Sequence, residues 1–483
     1  MAISYSAIRR DLLAGVTASF ALVPESIAFA LVATLNPMMG LYGAAIICGL
    51  TALLGGRPAM ISGAAGSMAV VIVSLVVTHG ADYFLWAVLL SGALMVLFGV
   101  LKLGKLVRMI PHPVMLGFVN GLAIIIAMSQ FGHFKDAHAQ WLQGQALWVM
   151  GALVVLTMAI VYLLPKVFKA VPPALVAILA VGLLTQCADI PTRTLGDMAE
   201  MAGGWPSMHL PMAPLDLNTL KIIAPYAIVM AMVGLLETLL TYNLTCDITE
   251  TQGQPNRECV ALGTANVVSG LCGGMGGCAM IGQTMINLGS GGRGRLSGVV
   301  CGVMVMLFIL YLSPWIARIP LAALVGVMFV VAQQTFAWGS LHALRHVPKS
   351  DGLVIIAVTV VTVLTDLAVA VMCGVVVTAL SFAWKHAARL CIERLVAQGN
   401  VCYRGQGTLF FAATERFEEA FQVHDDSQRV TLDAHGLVLA DHSAIAAVMS
   451  VQTKYAQVGK QLIIEGLEAE SRTLLNDAGV EVQ

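Results

Sequence analysis

Residues 62–73 read SGAAGSMAVVIV, and residues 273–287 read GGMGGCAMIGQTMIN. Each is a Gly-rich lead-in to an apolar segment too short to cross about 30 Å of hydrocarbon as a straight helix. Glycine lets a backbone run extended and pass close to another backbone. A helix that starts just beyond such a stretch points free N–H groups, and the positive end of its dipole, at the gap. Two such starts facing one another would hold an anion without any basic side chain.

Working outward, the chain is too poor in charge to be soluble. Charged residues make up 11% of 483, against roughly 25% in soluble domains. A soluble globular protein, a disordered chain and a nucleic-acid binder are thereby excluded, and a net charge of −1 leaves no field to steer polyanions. Candidate spans lie near 12–33, 40–55, 66–79, 83–101, 111–130, 146–164, 171–186, 222–243, 259–272, 279–290, 296–313, 320–334, 352–365 and 368–386, fourteen in all. If the N-terminus is inside, 15 of the 19 Lys and Arg before residue 391 fall in inside connections, and only Lys135, Arg193, Lys221 and Arg318 fall outside. That bias predicts cytoplasmic termini at a plasma (inner) membrane. Seven is odd, so two sets of seven spans start on opposite sides, which is the arithmetic of an inverted repeat over about 12–186 and 222–386. The two Gly-introduced segments are the third of each set. Interrupted segments at matching positions are the best sequence pointer to a transport site.

The composition changes at residue 390. Residues 391–483 carry 7 Lys+Arg and 13 Asp+Glu, the density of a small soluble domain. Strand-like runs at 401–403, 407–412, 430–432 and 461–465 alternate with helical ones at 415–421, 442–455 and 469–478, which predicts a small α/β domain. The expected organisation is a multi-pass α-helical transport domain over 1–390 and a cytoplasmic domain over 391–483. No HExxH, P-loop or GxSxG motif is present, so no enzyme is expected. Apart from Na⁺, no metal or cofactor is expected.

An ionisable group in a bilayer costs about 2.5–3.5 kcal/mol on insertion scales, so each asks for a reason. Glu25 and Glu237 are the two acids read as lying well inside spans. Glu25 follows Pro24, which removes a backbone donor and kinks the first span, so that freed carbonyls and the carboxylate can face a cavity. Glu237 has Thr241 four residues on, and therefore on the same helical face. A carboxylate and a hydroxyl so placed can coordinate Na⁺ with nearby carbonyls. A buried carboxylate can instead take up a proton, because desolvation disfavours the charged form.

The residues resemble the sulfate-permease (SulP) family of anion transporters. VPESIAFALVA at 23–33 is similar to the family's first-helix signature. GLYGAAIICGLTALLGGRPAMISGAAGSMAVV at 40–71 resembles its second and third helices, GLLETLLTYN at 234–243 its eighth, and GGRGRLSGVV at 291–300 the turn into its eleventh. The tail resembles a STAS domain through YRGQGTLFFAATERFEEAF, VTLDAHGLVLADHSAIAAV and LIIEGLEAESRTLLNDAG. The resemblance implies 14 helices in a 7+7 inverted repeat, a core and a gate domain, a homodimer and elevator-like alternating access. By motif position it implies substrate contacts at Glu25, Phe29, Gly66, Ser67, Met68, Ala279, Met280, Ile281, Gly282, Gln283 and Thr284. It implies a coupling-cation site at Glu237 and Thr241, with Glu where bicarbonate-transporting members have Asp.

Two departures from the family pattern shape the functional expectation. Gln283 stands where many members place an Arg, and Glu25 stands where many have Gln. The site thus lacks a basic side chain and holds two carboxylates, and a co-bound Na⁺ or H⁺ is the simplest compensation. The expected function is cation-coupled symport of a small inorganic anion, bicarbonate or sulfate. The alternatives are a proton-coupled nucleobase or dicarboxylate permease of the same fold, and a STAS-linked sensor with vestigial transport. In the tail, Asp441-His442-Ser443-Ala444 replaces the usual D-S-S-G turn, with Ser443 at the position phosphorylated in soluble relatives. Ala444 in place of Gly favours a structural or regulatory role instead.

Overall fold

The computed structural model describes residues 5–104, 112–135, 140–167, 172–198, 203–214, 216–341, 349–364, 376–377, 390–397 and 400–467. The chain forms two compact units, Met1–Gly374 and Val375–Gln483. Their boundary falls ahead of the change in composition at residue 390, among residues outside the described set.

The first unit is helical. Its helices are α1 (Tyr5–Val32), α2 (Pro37–Leu54), α3 (Gly66–His79), α4 (Ala81–Val100), α5 (His112–Gln130), α6 (Gln145–Val167), α7 (Pro173–Cys187), α8 (Leu217–Thr249), α9 (Pro255–Leu271), α10 (Ile281–Gly289), α11 (Arg295–Ile316), α12 (Leu321–Thr335) and α13 (Lys349–Leu364). Among the described residues, seven helices are long and apolar enough to cross a membrane. The last expected segment, 368–386, lies outside the described residues except for 376–377.

Local chemistry sets the helix ends. Asn36 accepts from the Met38 amide at 2.9 Å and Pro37 opens α2. Asp216 accepts from the Thr219 amide at 2.6 Å to start α8, and Glu250 ends that helix in the left-handed region. Both are the capping chemistry that satisfies orphan backbone groups. Four arginine guanidinium groups close three helix ends. Arg295 donates to the carbonyls of Ala52 and Leu53 in α2 and of Gly55 beyond it, and Arg257 donates to Leu54. Arg57 donates to the Thr245 carbonyl near the end of α8, and Arg293 to Leu288 in α10. Cations belong at helix C-termini, where the dipole is negative. Helices pack closely at small residues: a Cβ on Gly263 of α9 would meet Val96 N of α4 at 2.6 Å.

Among the described residues of this unit, two further acids prove to be buried. Glu258, 1% exposed, accepts from the Arg57 amide at 2.9 Å, and Asp11, 8% exposed, accepts from the amides of Arg293 and Gly294. Helices α1 and α9 begin earlier than hydropathy suggests, at Tyr5 and Pro255, and so take these acids into the packed unit. Each carboxylate holds a connecting loop by its backbone N–H groups, which offsets desolvation.

The Gly-rich lead-ins form two short strands, β1 (Ser62–Ala64) and β2 (Gly277–Ala279). They pair antiparallel in the register Ser62↔Ala279, Gly63↔Cys278 and Ala64↔Gly277. Both are wholly buried.

The second unit is a four-stranded sheet in the order β3 (Cys391–Ala397), β4 (Asn400–Leu409), β5 (Arg429–Leu439), β6 (Gln461–Glu465). The β3–β4 pairing is antiparallel and the other two are parallel. Helices α14 (Thr414–Glu419) and α15 (His442–Gln457) supply the crossovers. The two strand-like runs at 401–403 and 407–412 form one strand, β4, which is irregular between Arg404 and Gln406, and residues 411–413 turn into α14 through a 3₁₀ turn. β3 was not anticipated. The expected helix at 469–478 lies outside the described residues. Asp426 is the buried polar centre of this unit. It accepts from Arg394 Nε at 2.9 Å, from Tyr403 Oη at 2.8 Å and from Tyr455 Oη. Burial pushes both phenols up from their ordinary range. Asp441 caps α15 by accepting from the Ala444 amide at 2.9 Å, which leaves Ser443 in the first turn.

Candidate functional site

The strand pair positions the site. Asn266 of α9 acts as a surrogate backbone for β2: its Oδ1 accepts from the Gly277 amide at 2.9 Å and its Nδ2 donates to the Gly277 carbonyl at 2.9 Å. Thr238 Oγ1 accepts from the Ala279 amide at 3.0 Å. Across the pair, Met280 N donates to the Ile61 carbonyl at 2.9 Å, and Thr284 Oγ1 accepts from the Ile61 amide at 3.1 Å. Each strand is followed within two residues by a helix, α3 or α10, that has no side-chain cap. The first bond of α3 is Ala69 N to Ala65 O, and that of α10 is Thr284 N to Met280 O. The amides of residues 66–68 and 281–283 therefore have no acceptor in their own helix.

A cavity of about 330 Å³ opens beside these two helix starts. Its polar lining comes from Glu25, Ser67, Glu237, Gln283, Gln334 and Thr335. Among the described residues that line it, none is Lys, Arg or His. Phe29, Phe118 and Leu240 contribute to apolar walls. Gln283 Nε2 donates to Glu25 Oε2, which joins α10 to α1 one residue beyond Pro24, a proline that α1 accommodates without interruption. Glu237 Oε2 accepts from Ser67 Oγ and Cys278 Sγ, both at 2.8 Å, which joins α8 to α3 and β2. The Thr241 hydroxyl donates to the carbonyls of Glu237 at 2.8 Å and Ala279 at 3.2 Å. The hydroxyl and these two carbonyls supply hard oxygens on the helical face that also carries the Glu237 side chain.

Most of the expected residues meet at this cavity: Glu25, Phe29, Gly66, Ser67, Glu237, Ala279, Met280, Ile281, Gly282 and Gln283 all line it. Three side chains do not. Met68 is fully buried and packs against Gly234 and Gly276. Thr284 is turned to Ile61, and Thr241 lies buried behind the lining. Sequence reasoning missed the opposite wall, built by Val114 to Ile126 of α5 and by Val331, Gln334 and Thr335 of α12. The α5 stretch is indistinguishable from any apolar span. Gln334-Thr335, polar at the end of one, was the available signal. Cys278, an uncharged residue within the Gly-rich stretch, carries no motif that would mark it.

The sulfate permease family profile matches residues 8–358, and the STAS domain profile matches residues 392–482. The chain belongs to the sulfate permease family. It is a membrane transporter with a STAS domain, not an enzyme. It is 39% identical to the putative sulfate transporter YbaR of Bacillus subtilis (strain 168), covering 97% of this chain and 96% of the relative. It is 34% identical to the bicarbonate transporter BicA of Synechocystis, over 77% of this chain and 69% of that one. The solved transmembrane domain of a cyanobacterial BicA aligns with a TM-score of 0.68 at 32% identity, covering 76% of this chain and 98% of that one. Murine Slc26a9 in its inward-facing state aligns with a TM-score of 0.86 at 17% identity, covering 99% and 88%, a likeness of fold.

Proposed function

We propose that the protein is a secondary active transporter that carries bicarbonate together with a cation, Na⁺ held at Glu237 and Thr241. One observation carries the reading: two uncapped helix starts and two carboxylates converge on a cavity without a basic lining residue. The helix starts attract an anion. Glu25 and Glu237 repel it, by about 4 kcal/mol per pair of unit charges at 4 Å and an effective dielectric of 20. A dianion such as sulfate meets twice that repulsion. Bicarbonate carries one charge, and its O–H can donate to a carboxylate while its other oxygens accept from the amides of residues 66–68 and 281–283. A cation beside Glu237 offsets what remains. The names of the relatives, putative sulfate and bicarbonate transporters, agree with this substrate class.

In this reading residues 12–186 and 222–386 are an inverted repeat of seven spans each. The matched positions of β1–α3 and β2–α10 support it. Helices α5 and α12 belong to a gate against which the site-bearing core moves as an elevator. Residues 391–483 are a cytoplasmic STAS domain, both termini face the cytoplasm of the inner membrane, and the transporter is a homodimer, as the family resemblance implies.

The test is uptake of labelled bicarbonate, sulfate and fumarate by proteoliposomes under an imposed Na⁺ or H⁺ gradient. Bicarbonate uptake driven by inward Na⁺, and made Na⁺-independent by Glu237→Gln, is the expected result. Drive by protons alone would replace the coupling ion and keep symport. Uptake indifferent to both gradients, or preference for sulfate, would overturn the reading.

A further inference from the structure

Residues 203–214 read GGWPSMHLPMAP and contain no Asp, Glu, Lys or Arg. They connect α7 to α8, yet they are tied down along their length. A Cβ on Gly203 would meet Ile309 O of α11 at 2.6 Å, so the chain passes directly against that helix. Tyr42 Oη of α2 donates to the Gly204 carbonyl at 3.1 Å. The His209 amide donates to the carbonyl of Leu271, the last residue of α9, at 2.8 Å. Trp86 Nε1 of α4 donates to the Ala213 carbonyl at 2.9 Å, and the Met212 amide donates to Asp82 Oδ1 in the first turn of α4. Thr219 Oγ1 of α8 donates to Pro214 O at 2.8 Å. The segment thus runs across one end of α11, α2, α9, α4 and α8 in turn.

Those five helices form a continuous arc, since α11 packs on α2, α2 on α9, α9 on α4 and α4 on α8. Four of the five, α2, α4, α8 and α11, have exposed apolar faces, as at Leu53, Leu97, Val100, Ile228, Val303 and Tyr311. In a membrane protein such faces are the lipid surface. The segment turns its large side chains outward at the rim of that surface. Trp205 is 75% exposed, Met208 68%, Leu210 66% and Met212 89%, while Pro211 is buried beneath. An anchored loop has no folding reason to expose four large apolar side chains, and a patch of this kind marks an interaction surface. Tryptophan on an uncharged segment at span ends fits the headgroup–acyl boundary.

We propose that residues 203–214 form a belt that seats the arc in the bilayer interface, with lipid as the occupant of its exposed apolar face. The exposed apolar surface of α2, α4, α8 and α11 continues onto the belt, which is why lipid is favoured over a protein partner. The inference does not depend on which anion or cation is carried.

The test uses the full-length protein in liposomes and takes the fluorescence of Trp205 as the difference between wild type and Trp205→Phe. Under the proposal this difference is blue-shifted, quenched by lipids brominated near the carbonyl end of their acyl chains, and shielded from aqueous iodide. A difference emitting like free tryptophan in water and quenched by iodide would overturn it. So would one shielded from both quenchers, which would mean that a second copy or another part of the protein covers the face. Met212→Trp in the Trp205→Phe background moves the reporter to a second exposed position, where the same pattern is expected.

Discussion

Replacing Gly277 by alanine separates the two helix starts without altering the identity of any side chain that lines the cavity. A Cβ on Gly277 would meet the carbonyl carbon of Gly63 at 2.6 Å, and the carbonyl oxygen more closely still. The obstacle is backbone, and Asn266 holds Gly277 from the other side, so no rotamer change relieves it. Carbon atoms rest about 3.5–4.0 Å apart, so β1 and β2 must part by roughly 1 Å. Helices α3 and α10 start two residues beyond the strands and carry the displacement to the amides at 66–68 and 281–283. A hydrogen bond made at about 2.9 Å is lost once it stretches past about 3.5 Å. One bond to a charged group is worth about 1.5–3 kcal/mol, so losing one raises KM for the anion roughly 10- to 100-fold. Overpacking itself costs folding about 1–3 kcal/mol, which a folded protein can survive. The assay is initial-rate uptake of labelled bicarbonate by proteoliposomes, normalised to monodisperse protein. Gly151→Ala in α6 is the control: its Cβ meets nothing within 4 Å, it does not line the cavity, and its KM is expected to be unchanged. A Gly277→Ala protein with wild-type KM would refute the dependence of anion binding on the strand pair.

Further outcomes follow from the same geometry. Glu237→Gln removes the charge that faces the coupling cation and should abolish Na⁺ dependence while the protein stays folded, since Ser67 and Cys278 keep an oxygen acceptor. Arg295→Ala strips the guanidinium from the carbonyls of Ala52, Leu53 and Gly55. It should lower stability by about 1–3 kcal/mol, read as a lower Tm, with KM for the anion unmoved. Asp426→Ala orphans two buried phenols and one side of Arg394. It should cost about 3–5 kcal/mol, seen as lost hydrogen-exchange protection over residues 400–467 in the intact chain, and Asp426→Asn should recover part of it.

Sequence alone determined the membrane class, the approximate position of each described helix, and the segments and acids that line the candidate cavity. The reason is that these properties are local. Twenty apolar residues announce a span, a Gly run announces extended backbone, and an isolated carboxylate in an apolar stretch announces a function. Glu25 and Glu237, which line the cavity, were legible for this reason, and so was the extended backbone before α3 and α10. The same logic reached β4 and β5, where apolar residues are concentrated, and missed β3, Cys391–Ala397, whose Glu393 and Arg394 interrupt any strand pattern.

Only the tertiary structure decided which of those groups meet. It paired β1 with β2, turned Met68 and Thr284 away from the cavity, and put Cys278 against Glu237. It also supplied the second wall from α5 and α12. In water, a buried face differs from an exposed one by its polarity. In a bilayer, lipid, a neighbouring helix and a dry cavity wall all select the same apolar residues, so the sequence of a span carries little record of what it faces. Asp11 and Glu258 were hidden for the converse reason: polar residues near span ends look like solvated loop residues until the fold closes over them.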